Sequence, residues 1–211
     1  MTLMSKISAL ESHQNVLRKY IPEEFVDYTV DLILRHPLEF RIVRPRKTKL
    51  GDFRYGPALT RPKITINADL NTYSFLITTL HELAHYFVHL NYGMRIRAHG
   101  KEWQKEYQKL IYPIIEMGFL PKDVETALLN SLVNVKASSC TDLNLFRVLK
   151  KYNDDHHAKT HLEELNENES FLLNGKHFTK GKLRRKRYLC TEVPTRKQYL
   201  VSALAEVEKI A

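Results

Sequence analysis

Residues 81 to 90 read HELAHYFVHL, and AHGKEW follows at 98 to 103. On a helix, side chains four apart share one face, one turn apart. His81 and His85 can therefore aim imidazole nitrogens at a single ion, at the ~2.0–2.1 Å that zinc prefers. Glu82 is rotated away from that pair. It is suited instead to take a proton from water as a general base, the arrangement of His-Glu-x-x-His hydrolases. A catalytic zinc site needs a third protein ligand and leaves its fourth position open. His89 is a poor third ligand, because eight helical residues rise ~12 Å. The ligand has to come from a segment that folds back. His99, after the turn at Tyr92-Gly93 and before Gly100 and a new helix, is favoured. Glu102 and Glu106 on that helix are the alternatives.

The surroundings of the motif give the fold class. Residues 5–20 and 22–36 read as helices, with Pro22, Glu23 and Glu24 suiting the start of the second. From Phe40 to Leu70 short β-prone runs (FRIV, DFRYG, KITINADL) are broken by Pro45, Gly51, Gly56 and Pro62, which predicts a small antiparallel sheet. Asn71 is an N-cap for a long helix whose Leu76, Leu80, Leu83, Phe87 and Leu90 place one face inward. Helices over about 99–117 and 121–132 follow. Beyond about Val135 helical periodicity is lost. The polar run 153–168 reads as a linker, and alternating strands then follow, with Asn174-Gly175 as a hairpin turn. The expectation is an α+β chain with two parts. Residues 1–135 form a catalytic domain with a helical N-terminus over 1–37, and 136–211 form a basic β-rich extension.

Composition narrows the setting. The 211 residues carry 43% hydrophobic side chains, enough for a core, and no run nears the ~18 apolar residues of a membrane span. The N-terminus lacks a signal peptide's apolar centre. The two cysteines, Cys140 and Cys190, are too few for a secreted disulfide framework. A soluble, cytoplasmic setting without membrane contact is expected, with nucleoid association in a bacterium. The net charge of +9 is clustered. Arg44, Arg46, Lys47 and Lys49 stand in one basic stretch before the motif helix. Arg184, Arg185, Lys186 and Arg187 stand in a second, KGKLRRKR. Such clusters attract nucleic acid by phosphate neutralisation, so DNA, single-stranded or duplex, is the expected partner besides protein substrates.

HELAHYFVHLNYGMRIRAHGKEW resembles the SprT-like zinc metallopeptidases, the bacterial SprT proteins and the eukaryotic Spartan proteases. The resemblance runs from about Phe40 to Ile115. Its motif positions correspond here to His81, Glu82, His85, His99, Gly100 and Trp103. It implies a zincin-like fold holding one Zn²⁺ and, for the Spartan branch, cleavage of proteins trapped on DNA. SprT-like chains often end in a zinc ribbon with four cysteines, and the C-terminal strands here resemble a degenerate one. Two cysteines cannot make a four-cysteine site. A mixed site of Cys140, Cys190 and two of His156, His157 and His161 is the alternative to a metal-free hairpin fold.

Overall fold

The computed structural model describes residues 3–46, 48–56, 61–93, 96–133, 142–153 and 160–210. The chain divides into two compact units, Met1–Asn153 and Asp154–Ala211. The first opens with α1 (Leu3–Leu17), a 3₁₀ turn at Glu23–Phe25, and α2 (Val26–Leu34). Strands β1 (Glu39–Val43), β2 (Gly51–Arg54) and β3 (Lys63–Asn67) follow. Helices α3 (Thr72–Tyr92), α4 (Lys101–Glu116), α5 (Lys122–Val133) and α6 (Leu143–Lys150) complete it.

The three-stranded sheet has the order β1-β3-β2 and is mixed, not antiparallel throughout as expected. β2 pairs with β3 antiparallel, but β1 pairs with β3 parallel, Phe40 opposite Ile64 and Ile42 opposite Ile66. The cause is burial. β3 places Ile64 and Ile66 wholly inside and so takes the central position, while β1 and β2 are half-covered and go to the edges. A chain that reverses twice through β1, β2 and β3 must then run parallel in its first and third strands. A buried clasp sets the loop between β1 and β2. Arg46 Nε donates to Asn67 Oδ1 at 2.8 Å, and Asn67 Nδ2 donates to the carbonyls of Arg46 and Lys49 at 3.2 and 2.9 Å.

Helix α3 departs from the expected one-sided amphipathic pattern. Every residue from Phe75 to Ala84 is buried, because β2 and β3 pack on one side and α4 on another. A helix covered all round gains from apolar residues at every position, and its polar residues need a special reason to be there. Asn71 begins it as expected: its Oδ1 accepts from Ser74 N–H at 2.8 Å. The same side chain donates from Nδ2 to Leu149 O at 2.9 Å and to Asn153 Oδ1 at 2.6 Å, tying the end of α6 to the start of α3.

Helix α6 lies where no helical periodicity was expected. Asp142 caps it through Asn144 N–H and Leu145 N–H, and Tyr152 OH just past its end donates to Asp123 on α5 at 2.7 Å. At eight residues it is too short to hold itself, so tertiary packing of Leu145 and Leu149 holds it. It belongs to the first compact unit. The division between units thus falls after Asn153, against an expected boundary after residue 135.

The second unit is an antiparallel sheet in the order β6-β7-β5-β4-β9 with β8 also on β7. Its strands are β4 (Ser170–Leu173), β5 (Lys176–Thr179), β6 (Leu183–Arg184), β7 (Arg187–Glu192), β8 (Gln198–Ser202) and β9 (Glu208–Lys209). Asn174 and Gly175 make the two-residue turn between β4 and β5, with φ of 50° and 75°, the left-handed pair that a tight hairpin requires. Cys190 is fully buried among Leu162, Leu165, Phe171, Phe178, Val201 and Val207, and burial raises its thiol pKa. Cys140, His156 and His157 of the mixed metal site lie outside the described residues. Cys190 itself sits in an apolar cluster. Lys180 is buried nearby and donates to the carbonyls of Glu163 (3.3 Å) and Leu165, its ammonium 4.0 Å from the Tyr188 ring centre.

Asn71 both starts α3 and holds α6, so Asn71→Ala is expected to lower the unfolding free energy by about 1–2 kcal/mol. Asn71→Asp, which keeps the cap acceptor and loses the donor, should fall between the two in a urea titration.

Candidate metal centre

Three imidazoles converge at the surface of α3. The Nε2 atoms of His81 and His85, one turn apart on α3, are 3.2 Å apart. His99 Nε2 comes to 3.0 Å from that of His85 and 3.1 Å from that of His81. Two ligands of a tetrahedral zinc at ~2.0–2.1 Å stand ~3.3–3.4 Å from each other, so this triangle is only slightly tighter than the ion's own geometry. Among the described residues it is the one group of three such side chains close enough to share an ion. Glu102 and Glu106, the alternatives for the third position, lie outside the cluster. The Glu106 carboxylate instead accepts from Lys109 at 2.8 Å and Tyr92 OH at 3.3 Å. His89, one turn beyond His85, is also outside it and stacks on Tyr55 with ring centres 4.2 Å apart.

The three histidines are held by two different devices. His81 and His85 inherit their positions from the buried helix. His99 arrives on the turn between α3 and α4, with φ at 57°. That left-handed conformation is costly for a residue with a Cβ, although histidine tolerates it better than most. Gly100 N–H closes the turn onto Arg97 O at 2.9 Å, and a Cβ at Gly100 would meet that same carbonyl at 2.9 Å. Trp103, on the first turn of α4 and 1% exposed, lies under all three rings. Its centre is 4.7, 5.4 and 4.8 Å from those of His81, His85 and His99.

Burial also prepares the donors chemically. It pushes the His81 pKa well below the usual histidine range, with help from His85 and His99. His85 is pushed down to about 4, and His99 also down, by burial first. A neutral imidazole keeps its lone pair free, which is the form that ligates. The residues present therefore fit a zinc ion in number, spacing and protonation.

Glu82 is the polar residue that the histidines do not explain. It is buried at 7% exposure, and its carboxyl pKa is raised to about 7, by desolvation first and then by the charge of Asp52. A hydrogen bond from Phe53 N–H and the charges of Arg46 and Lys49 oppose the rise. Gly51 is what admits β2 this close. A Cβ there would fall 2.7 Å from Glu82 Cγ and Oε1 and 2.8 Å from Thr78 Cγ2, distances that van der Waals contact forbids. Gly51 and Asp52 were not singled out by sequence. Their signal is the period-two run Gly51-x-Phe53-x-Tyr55, whose three residues all face α3. The triad and Glu82 open into one cleft of about 490 Å³, lined by β2, α3, Gly93, residues 96–99 and Trp103.

The basic residues separate into two kinds. Arg46 is committed to the clasp with Asn67 and Thr65, and Lys49 lines the cleft in an ion pair with Asp52 at 2.7 Å. Arg44 is exposed, and Lys47 lies outside the described residues. Arg184, Arg185, Lys186 and Arg187 are all exposed on the β6–β7 hairpin. Arg184 pairs with Arg187, so Arg185 and Lys186 form its tip.

The raised Glu82 pKa has a measurable cost. With a folded value of about 7 against about 4.5 unfolded, the folded chain binds this proton more tightly. Its stability therefore falls as pH rises from 4.5 to 7, and the loss is complete above that. In the presence of a chelator, Glu82→Gln should be more stable than the parent at pH 8, by up to ~3 kcal/mol. Thermal melts across pH should show the gap closing near pH 4.5.

No curated protein and no solved structure matches this chain. Residues 23–116, the segment that supplies His81, Glu82, His85 and His99, match the model of the SprT-like family.

Proposed function

We propose that the protein is a zinc-dependent endopeptidase of the SprT-like type, acting on proteins associated with or crosslinked to DNA. The observation that carries the peptidase reading is the pairing of a three-histidine cluster with a buried carboxylate, Glu82, in the same cleft. His81, His85 and His99 would hold Zn²⁺. When bound, the ion supplies Lewis acidity that polarises a carbonyl and lowers the pKa of water. Glu82 accepts the proton of the attacking water. Phe53 N–H fixes its carboxylate, and its elevated pKa suits proton uptake near neutrality. β2 is an edge strand. Gly51 and Phe53 line the cleft, and with Phe53 N–H taken by Glu82 an extended peptide beside the triad would pair with the other backbone groups of this edge. Trp103 keeps the three rings in register, a positioning task.

A zinc-loaded Glu82→Gln variant should retain one equivalent of metal and lose cleavage of a casein-like protein by a factor of 10² or more. Undiminished cleavage would remove Glu82 from the mechanism. Running the same assay with single-stranded DNA, duplex DNA or neither separates the readings. DNA-stimulated cleavage supports action near DNA, and cleavage indifferent to DNA indicates a peptidase without that role. DNA binding without cleavage indicates a binding protein with a structural zinc.

The support for a DNA partner is the exposed β6–β7 hairpin, which carries four consecutive basic residues. Replacing Arg184, Arg185 and Arg187 with Gln should weaken DNA binding uniformly across sequences. It should also flatten the dependence of log K on log salt by about 2–3, the loss of three phosphate contacts. An unchanged slope would show that the hairpin is not the contact.

A further inference from the structure

One end of the cleft is built differently from the triad. Phe53 and Tyr55 continue β2's period-two face onto α3, with Phe53 6.0 Å from His89 by ring centres and 5.5 Å from Tyr55. Tyr55 stacks on His89 at 4.2 Å and 21° while keeping 39% of its surface open. Val88 and Ile96 line the same cleft. We infer that Tyr55 and His89, with Phe53, Val88 and Ile96, form a side-chain subsite that selects a large apolar residue of an extended peptide within two residues of the scissile bond. This rests on the peptidase reading above.

Three features carry the assignment. The first is chemistry: the wall is aromatic and aliphatic, and an aromatic face left open beside a functional cleft is surface that gains from an apolar partner. The second is spacing. His89 lies one helical turn past His85, ~6 Å along α3. Same-side residues of an extended chain repeat every ~6.6–6.8 Å. A peptide lying along β2 with its backbone at the triad therefore delivers a neighbouring side chain onto the Tyr55–His89 stack. The third is charge. Lys49 of the cleft is already paired with Asp52 at 2.7 Å, whereas Arg97 lines the cleft and is exposed, so Arg97 disfavours a basic side chain while leaving an apolar one unaffected. His89 is thereby a specificity residue, and its place in the ladder 81-85-89 reflects the direction of the cleft.

The test uses the full chain carrying Glu82→Gln and loaded with zinc, so that binding is read without turnover. Fluorescein-labelled nonapeptides with a central Phe, Leu, Ala or Lys in an otherwise constant Gly-Ser-Thr context are titrated by anisotropy. Phe and Leu peptides should bind about tenfold or more tighter than Ala or Lys peptides, the effect of burying one large apolar side chain. Adding Tyr55→Ala should bring that ratio to within about twofold, and Tyr55→Phe should preserve it. Equal binding of all four peptides, no measurable binding of any, or a ratio unmoved by Tyr55→Ala each overturns the subsite. Digestion of a peptide mixture by the zinc-loaded parent, read by mass spectrometry, then tests the reading beneath it. A retained binding ratio with no cleavage would refute the peptidase and leave the subsite standing.

Discussion

Everything in the first unit follows from the complete burial of the middle of α3. A helix surrounded on all sides by a sheet and by other helices can carry polar groups only where something compensates their lost hydration. Besides the small hydroxyls of Thr78 and Thr79, His81 and Glu82 are its buried polar groups, the two that ionise, adjacent in sequence and suited to different tasks. The histidine gives up its proton under burial, which frees its lone pair to meet those of His85 and His99. The carboxyl responds in the opposite sense and holds its proton up to about pH 7. One low-dielectric environment thus prepares a neutral donor and a weak base side by side.

The clustering of the three histidines was more legible in the sequence than the fold around it. The spacing of His81 and His85 is a local helical fact, and the exclusion of His89 needed only the rise per residue. His99 followed from the need for a ligand on a returning segment, helped by the turn residues on either side. What could not be read locally is what depends on contacts distant in sequence. The parallel pairing of β1 with β3 depends on which strand is most buried. Helix α6 depends on Asn71 and Asp123, about 80 and 30 residues away from their partners in sequence. Gly51 looks like a turn residue until Glu82 is seen against it. Arg46 looks like a surface charge until Asn67 is found beneath it.

The second unit illustrates how a small antiparallel sheet is held. Its described core is apolar, with Cys190 behaving as a small hydrophobe. Lys180 draws together two carbonyls of the segment 163–165 and the ring of Tyr188 on β7. A charge-assisted bond from an ammonium can cross-link a loop to a sheet without any ion from solution. It also leaves the outer side of β6 and β7 free to carry arginines, since nothing at the surface has to serve the core.

The left-handed backbone of His99 links two properties that are usually considered separately. The backbone of His99 holds a conformation that costs free energy, and the ring it presents belongs to the cluster. An ion bound at the cluster would offset that cost, and by linkage the occupancy of the site and the backbone at His99 would then form a single equilibrium. The Tyr92–Glu106 contact at the turn's base and the Gly100–Arg97 closure lie on the same balance as the ligands. The susceptibility of the segment 96–100 to an added protease would then report occupancy of the cluster, read from the backbone.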